Sequence, residues 1–233
     1  MRDHFVKSRQ TKGPTPAMET LLPTTKHRRG RRTARQERAL TQPGPSHVLL
    51  SALAGDASMR GDDPVVLDIG FGSGEAVVAL AEADPATTII AVDMHTPGIG
   101  DLLASISERG LGNIRVVEAD VRHVLEAIPE GRLSGARTFF PDPWPKKRHH
   151  RRRLITPAFA EALASRVTLR GYWHIATDWP DYALAIEEVL AASGLWKGGV
   201  IARPESRPVT RYERRGLAAG REPIDLRFER VTA

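Results

Sequence analysis

The amino-acid sequence predicts an α/β protein: a mostly parallel, seven-stranded sheet with helices on both faces and an antiparallel strand near one edge. Three observations predict this fold. Short apolar segments alternate five times with segments of helical spacing between Pro64 and Gly194. The links between them are short, which suits crossovers within one sheet. The last apolar segment, residues 224–231, alternates apolar and polar side chains, as a half-exposed antiparallel strand does.

The predicted strands are short apolar runs, several of them β-branched, that end near a glycine, an aspartate or a proline. Six segments fit this description, and the seventh strand is not assigned to a segment. The six are residues 64–70, 87–94, 113–120, 135–142, 171–178 and 224–231.

The predicted helices combine helical spacing of apolar residues with start and stop signals. Gly110 and Gly194 each end one of them, and Thr156 followed by Pro157 begins another. The helical segments are residues 74–84, 98–110, 121–128, 157–167 and 181–194.

Length and composition suit one domain with additional segments rather than two full domains, because the chain has 233 residues and is 41% hydrophobic. No segment approaches the roughly 18–20 apolar residues that a membrane helix needs, and no secretory signal is visible. We therefore expect a cytoplasmic protein without a membrane partner. The absence of cysteine excludes disulfides, thiolate metal sites and a cysteine nucleophile, such as a 5-methylcytosine enzyme would use.

Charge is unevenly distributed along the chain. Residues 1–40 carry a net charge of +8, residues 41–145 carry −9, and residues 146–153 carry +6 without an acidic residue. Such segregation indicates a polyanionic partner, although basic runs can also be solvated tails. We expect residues 1–40 to form a basic, flexible arm, with a short helix near the segment ARQERAL, and residues 41–233 to form the folded domain.

An acidic residue occurs at the end of each of the first five predicted strands. Because ligands of open α/β sheets bind beyond the carboxyl ends of the strands, these side chains predict an acidic ligand site. They are Asp68, Asp93, Asp120, Asp142 and Asp178.

The loop after the first strand reads DIGFGSGE from residue 68 to residue 75. Gly70, Gly72 and Gly74 permit a tight turn and a close approach of a ligand to the backbone. A dinucleotide-binding loop would place a third small residue at position 75, where the chain has Glu75. A carboxylate at that position would repel a pyrophosphate, which disfavours a nicotinamide-dependent oxidoreductase.

A cationic ligand that contains an adenosine fits this acidic loop better, and S-adenosylmethionine has a sulfonium and an ammonium group. Asp93 ends the second strand, 19 residues after Gly74, where its carboxylate can accept hydrogen bonds from both ribose hydroxyls. Asp120, at the end of the third strand, would lie near the adenine. The glycine loop and the two acids together indicate a class I methyltransferase.

From about Val65 to Val231 the chain resembles the bacterial tRNA (guanine-N7-)-methyltransferases. The resemblance is carried by the segments LDIGFGSG, VDMHTPGIG, FFPDPWPKKRHHRRR, ATDW and RPVTRYERRG, of which the third and fifth are specific to that family. It implies a Rossmann-like class I methyltransferase fold and S-adenosylmethionine as the donor, with S-adenosylhomocysteine as the product. It also implies N7 of a tRNA guanine as the acceptor, usually at position 46 in the variable loop.

The resemblance also implies roles for individual residues. Asp142 is the implied catalytic residue, and the family often has Glu where this chain has Asp68 and Asp93. The implied cofactor-binding residues are Asp68, Gly70, Gly72, Gly74, Asp93, Asp120 and Asp142. The implied substrate-binding residues are Lys146, Asp178, Thr210, Arg211, Tyr212 and Glu213, the last four in a loop before the final strand. The implied RNA-interacting residues are Arg148, His149, His150, Arg151, Arg152 and Arg153.

Guanine N7 has a lone pair and no proton, so its methylation needs alignment and charge stabilisation rather than a general base. Asp142, between Pro141 and Pro143, can accept hydrogen bonds that fix the line of attack, and it can stabilise the positive charge that develops on the base. Trp144 offers a flat face on which an extruded base could stack, or it packs in the core. A carboxylate suits guanine N1–H and its amino group, and Asp142, Asp178 and Glu213 remain alternatives for that contact.

The run KKRHHRRR, residues 146–153, would contact the phosphates beside the target base. His149 and His150 belong to this basic patch, because no metal-ligand spacing links the histidines to each other or to acidic residues. We therefore predict no metal ion.

Three alternatives remain open. An adenine-N6 or cytosine-N4 amino-methyltransferase typically has an Asp/Asn-Pro-Pro-aromatic turn, whereas this chain has Pro-Asp-Pro-Trp. An oxidoreductase is disfavoured by Glu75. The third is a non-catalytic RNA-binding module. We expect tRNA as the partner, with the protein a monomer or a homodimer.

Overall fold

The structure, a computed structural model, describes residues 32–232. Its helices are α1 Ala34–Thr41, α2 Leu50–Leu53, α3 Glu75–Ala83, α4 Thr96–Arg109, α5 Val121–Ala127, α6 Pro157–Arg166, α7 Pro180–Ser193 and α8 Arg211–Ala218. Its strands are β1 Val65–Ile69, β2 Thr88–Asp93, β3 Ile114–Glu118, β4 Leu133–Phe139, β5 Val167–Thr177, β6 Trp196–Ile201 and β7 Ile224–Arg230. Short 3₁₀ helices lie at Ala57–Met59 and Lys147–Arg152. Within residues 32–232, no helix has the length and apolar character needed to cross a membrane.

The seven strands form one sheet in the order β3-β2-β1-β4-β5-β7-β6. Strands β1 to β5 are parallel, and β7 runs antiparallel to both β5 and β6. This confirms the predicted sheet and its antiparallel strand near one edge. The strand order reverses between β1 and β4, and such a switch point opens a crevice at the carboxyl ends of these strands.

Two elements near the C-terminus differ from the sequence prediction. Strand β6 was not assigned, because Gly198 and Gly199 interrupt its apolar pattern; a Cβ at Gly198 would lie 2.0 Å from the Arg227 carbonyl oxygen, so only glycine fits there. The prediction of a loop at residues 210–213 is wrong, since the Thr210 side chain accepts a hydrogen bond from the Glu213 backbone N–H (3.2 Å) and α8 begins at that cap. A Thr with a Glu three residues later is a recognised helix-start signal.

The other predicted helices and strands agree with the structure to within a few residues, whereas α2 and both 3₁₀ helices were not predicted. Helix α4 begins two residues early, at Thr96, because Pro97 fits the first helical turn. Strand β5 is longer than predicted and begins at Val167, opposite Leu133, with an irregularity in the pairing before Gly135.

The sheet separates two apolar cores. The larger core packs α5, α6 and α7 against one face, and its largest fully buried side chains include Phe159, Trp173 and Tyr182. The smaller core packs α3 and α4 against β2 and β3 on the other face. Trp173 donates its indole N–H to the Thr138 hydroxyl (3.0 Å), so this aromatic is satisfied as well as buried. These cores hold the strand ends in fixed positions.

Helix α1 packs against α4 through Gly100, where a Cβ would lie 2.9 Å from the Gln36 side chain. Arg35 joins the two helices by ion pairs with Glu108 (2.7 Å) and Asp101 (3.4 Å). The short helix expected near residues 34–40 is therefore present and contacts the domain. The basic arm falls largely on residues 1–31, outside the described residues, so the division of the chain at residue 40 stays a prediction.

A buried ion network attaches α8 to the sheet. Arg207 donates to both carboxylate oxygens of Glu213 (2.7 and 2.8 Å) and to Asp225 (3.1 Å). His174 Nε2 lies 2.8 Å from the other oxygen of Asp225. Burial by itself would raise the pKa of Asp225, but the hydrogen bonds and charges of His174 and Arg207 outweigh it and lower the pKa. Asp225 therefore stays ionised around neutral pH.

Candidate active site

The glycine loop after β1 exposes bare backbone to open space. Gly70, Gly72 and Gly74 have φ angles of +75°, +60° and +79°, in the left-handed region that favours glycine. A Cβ at Gly70 or Gly72 would meet nothing within 4 Å. Only glycine combines this chain path with unobstructed backbone groups, so the loop is suited to close contact with a ligand.

Asp93, the last residue of β2, holds this loop in place. One carboxylate oxygen accepts from the Gly72 backbone N–H (2.9 Å), and the other accepts from the backbone N–H groups of Met94 (2.7 Å) and His95 (2.9 Å). A carboxylate has about four acceptor positions, so it can still accept a hydrogen bond from a ligand hydroxyl. Helix α4 packs directly below, since a Cβ at Gly98 would lie 1.9 Å from the Gly72 carbonyl oxygen.

Asp120, after β3, begins helix α5. Its carboxylate accepts from the backbone N–H (3.0 Å) and the side chain of Arg122 (2.9 Å), and the pair is about nine-tenths buried. Burial alone would raise the pKa of Asp120, but the hydrogen bonds from Arg122 outweigh it and lower the pKa. Asp120 therefore lies at the predicted place, with a carboxylate that Arg122 already engages.

Asp68 lies in the sheet, one residue before the end of β1, and its side chain is buried. Its Oδ2 has no hydrogen-bond partner among the described residues. Burial raises the pKa of Asp68 to about 6, with Arg137 opposing the rise and Asp93 adding to it. The predicted cofactor residue is thus placed under the glycine loop rather than on the cleft surface.

An open cleft lies between the carboxyl ends of β1, β2, β3 and β4. Its lining includes Gly70, Asp93, Asp120, Asp142 and Trp144. Three of the five strand-end acids predicted from the sequence therefore meet at one cleft. The fourth acid lies beneath it, and the fifth, at the end of β5, lies beside α8.

The turn that carries Asp142 is strained and firmly held. Phe140 and Trp144, which flank Pro-Asp-Pro, have φ angles of +55° and +45°, a region that bulky residues rarely adopt. Phe140 donates its backbone N–H to the Ala176 carbonyl oxygen (2.7 Å), and Arg153 donates to the Pro143 carbonyl oxygen (2.9 Å). Such strain often marks a functional site. The turn presents the exposed Asp142 at the edge of the cleft.

Trp144 lies in the wall of the cleft. The Arg152 guanidinium stacks over its ring at 5.0 Å, and the His149 ring meets it edge-on at 6.0 Å. Its indole N–H is buried without a hydrogen-bond partner among residues 32–232. Trp144 is thus neither an ordinary core residue nor a freely exposed stacking face.

The basic run forms the 3₁₀ helix Lys147–Arg152 beside the turn. Arg148 and Arg151 are exposed, so both are available to phosphates. Desolvation and the positive charge of the neighbouring basic residues, Arg152 first among them, lower the pKa of His149.

Arg153 departs from the predicted RNA contact. Its side chain is 6% exposed, pairs with Asp181 and stacks over the Tyr182 ring at 4.7 Å. Arg153 thus anchors the turn to α7, and burial removes it from reach of a phosphate.

Five of the six predicted substrate residues lie at and around the start of α8, and the sixth, Lys146, directly precedes the 3₁₀ helix. Tyr212 is 48% exposed, and its ring lies 5.2 Å from that of Phe140, beside the cleft. Asp178 is buried and accepts from Arg221 (2.7 Å). Burial first and the charge of Asp178 second raise the pKa of Tyr212. Unlike Tyr212, Glu213 is buried in the ion network of Arg207, away from the exposed face of α8.

Sequence reasoning missed the cations that engage these acids: Arg122, Arg207 and Arg221. Arg122 follows Asp120 at the spacing of a helix cap, which is a readable signal. Arg207 and Arg221 come near their partners only through the tertiary fold, so no local pattern reveals them. Within residues 32–232 no group of three or more His, Asp or Glu has metal-binding geometry.

The overall fold is similar to those of solved methyltransferases. A variant of the 16S rRNA (adenine(1408)-N(1))-methyltransferase from Catenulisporales acidiphilia, solved with its cosubstrate SAM, superposes with a TM-score of 0.56 at 16% identity, covering 78% of this chain and 92% of that one. The 16S rRNA methyltransferase KamB superposes with a TM-score of 0.55 at 19% identity, covering 73% and 89%. The protein has the Rossmann-like class I methyltransferase fold.

Sequence comparison is more specific. The family model described as "Putative methyltransferase" matches residues 62–226. A tRNA (guanine-N(7)-)-methyltransferase of Thiobacillus denitrificans is 45% identical over 210 residues, covering 87% of this chain and 92% of that protein. One of Streptomyces coelicolor is 45% identical over 219 residues, covering 88% and 79%. The chain belongs to the tRNA (guanine-N(7)-)-methyltransferase family, as the sequence resemblance predicted.

Asp68 gives the stability of the protein a specific pH dependence. Because its pKa is about 6 in the folded protein and 3.8 ordinarily, the folded state binds the proton more tightly than the unfolded chain between these values. The contribution of Asp68 to the free energy of unfolding should therefore fall by about 3 kcal/mol as pH rises through this window. Asp68→Asn should remove that fall, as measured by urea unfolding. The exposed Asp62→Asn serves as the control and should keep the fall in the free energy of unfolding. Plots of this free energy against pH that run parallel for Asp68→Asn and wild type would contradict the prediction.

Proposed function

We propose that the protein transfers the methyl group of S-adenosylmethionine to N7 of a guanine in tRNA, at position 46 of the variable loop. The observation that carries this proposal is the meeting of three groups at one edge of the sheet. These are the acidic cleft behind the glycine loop, the strained turn with Asp142, and the exposed cations of the 3₁₀ helix. We place this activity in the cytoplasm, where tRNA is modified.

The cleft fits S-adenosylmethionine in three respects. Open space beside Gly70 and Gly72 would admit a ligand close to the backbone. Asp93 would accept a ribose hydroxyl through its remaining acceptor capacity. The indole N–H of Trp144, in the wall of the cleft, lacks a hydrogen-bond partner among the described residues, so it would be available to a ligand.

Asp142 would act on the acceptor. When bound, S-adenosylmethionine supplies an electrophilic methyl group that the N7 lone pair can take, so no proton has to leave the guanine. The carboxylate of Asp142 would orient the guanine and stabilise the positive charge that develops on its imidazole ring. The strained, doubly anchored turn holds that carboxylate in one position, which limits the reorganisation needed during the reaction.

Tyr212 and Asp178 would hold the guanine beside the cleft. The half-exposed ring of Tyr212 offers a stacking face. Asp178 is buried and already accepts from Arg221, so it would use its remaining acceptor capacity for the N1–H and amino group of a guanine that enters beside α8. Glu213 is the least suited of the three candidate acids, because both of its oxygens already accept from Arg207. We assign Thr210 to capping α8, and Lys146 and Arg211 to contacts with the nucleotide.

Incubation with labelled S-adenosylmethionine and tRNA that lacks this modification, followed by nucleoside mapping, tests the function. Wild-type protein should form N7-methylguanosine. Asp142→Ala should lose roughly 10²-fold or more in kcat, because it removes a charged group aimed at the transition state. The thermal midpoint of Asp142→Ala, followed by calorimetry, should stay close to that of wild type.

The nucleoside mapping also distinguishes the alternative functions. N6-methyladenosine or N4-methylcytidine as the product would show an amino-methyltransferase. Donor binding without product on any tRNA would favour an RNA-binding module. Near-wild-type turnover by Asp142→Ala would remove Asp142 from the reaction.

Arg148 and Arg151 should set the salt dependence of tRNA binding. Changing both to Gln should weaken binding and flatten the plot of log affinity against log salt concentration by about 0.7 per lost phosphate contact. Arg170→Gln with Lys197→Gln is the matched control, because these exposed cations lie at the opposite edge of the sheet, where β5 and β6 begin. The proposal fails if both double variants have the wild-type slope.

A further inference from the structure

We propose that Glu75 is a positioning residue that fixes the start of α8, and with it the guanine-binding side of the site, against the glycine loop. This inference rests on the proposed function and assigns it a further residue. The same carboxylate that is incompatible with a dinucleotide loop thereby gains a role in methyl transfer.

Glu75 links two segments that are far apart in sequence. It is the first residue of α3, directly after Gly74. Its Oε2 accepts from the backbone N–H of Arg211 (2.7 Å) and from the Arg214 guanidinium (3.2 Å). The N–H groups in the first turn of a helix have no partner within that helix. Glu75 therefore caps the first turn of α8 from a residue 136 positions away.

Helix α8 has little apolar packing to locate its first turn. Only Glu213 and Gly216 of this helix are buried, and Leu217 is 46% exposed. Thr210 caps this turn, and Glu213, which lies within it, is held to the sheet by the buried ion network. Neither contact involves the glycine loop, so Glu75 sets the position of the first turn relative to that loop.

The first turn carries Tyr212, whose ring contacts Phe140 at the edge of the cleft. Glu75 continues directly from the glycine loop that faces the donor side of the cleft. The carboxylate thus sets the distance between the donor loop and the side chain that would stack on the guanine. A half-exposed ion pair contributes little to stability, so the expected effect of Glu75 is on alignment.

Glu75→Ala in the full-length chain tests the inference, with Glu82→Ala as the matched control. Glu82 lies on the same helix and forms a comparable ion pair with Arg109 at 2.7 Å, and its side chain is exposed to a similar extent, 42% against 39%. Hydrogen exchange of the first α8 turn should become faster in Glu75→Ala and stay at the wild-type rate in Glu82→Ala. This readout requires neither donor nor tRNA.

Kinetics test the functional part. Glu75→Ala should raise the KM for tRNA roughly tenfold to a hundredfold, the range that small misplacements of substrate produce. Its affinity for S-adenosylhomocysteine should stay within about twofold of wild type, since the donor contacts remain. Glu75→Gln should recover most of the loss, because its amide oxygen can accept both hydrogen bonds.

The outcomes separate the two proposals. If wild-type protein forms no N7-methylguanosine, the proposed function fails, and the exchange rates of α8 alone support or overturn the positioning by Glu75. If wild-type protein is active and Glu75→Ala matches Glu82→Ala in both exchange and KM, the positioning role is overturned while the function stands.

Discussion

The carboxylate of Asp93 is the contact on which the geometry of the active site depends. It accepts three backbone N–H groups, from Gly72 on one side and from Met94 and His95 on the other. Parallel pairing of β1 with β2 brings these segments together, and the carboxylate then fixes the glycine loop over the end of the sheet. Without this contact, glycines with left-handed φ angles would have many accessible conformations. The open face of the cleft therefore follows from the hydrogen bonds of one partly buried carboxylate.

Charge is arranged around that cleft in two regions with a strained turn between them. The acidic strand ends suit a cationic donor, and Arg148 and Arg151 suit the phosphates of a tRNA. Trp144 and Arg153 fix the positions of the two regions relative to each other. The Trp144 ring, in the wall of the cleft, stacks with Arg152 of the basic 3₁₀ helix. The buried Arg153 guanidinium connects the turn to α7. This arrangement places Asp142 between the acidic cleft and the basic 3₁₀ helix.

The sequence predicted the sheet and the cleft because both are encoded locally. Apolar runs and strand-end acids place Asp93, Asp120 and Asp142 at one edge without knowledge of any contact. The sequence did not predict which charged side chains are buried or paired inside the fold. Arg153 is indistinguishable by composition from its exposed neighbour Arg151, and only packing against α7 buries it. Sequence proximity likewise cannot reveal ion-pair partners that lie on distant elements. The start of α8 was predicted as a loop because the capping pattern of Thr210 and Glu213 was overlooked.

Calorimetric titration of the folded protein with S-adenosylhomocysteine tests the central claim most directly. The claim is that Asp93 and the loop it fixes form the donor site. Wild-type protein should bind one equivalent, and Asp93→Ala should bind at least about tenfold more weakly, since one fixed acceptor and the loop geometry are both lost. Folded wild-type protein that takes up no ligand, or an Asp93→Ala variant that binds as wild type does, would contradict it.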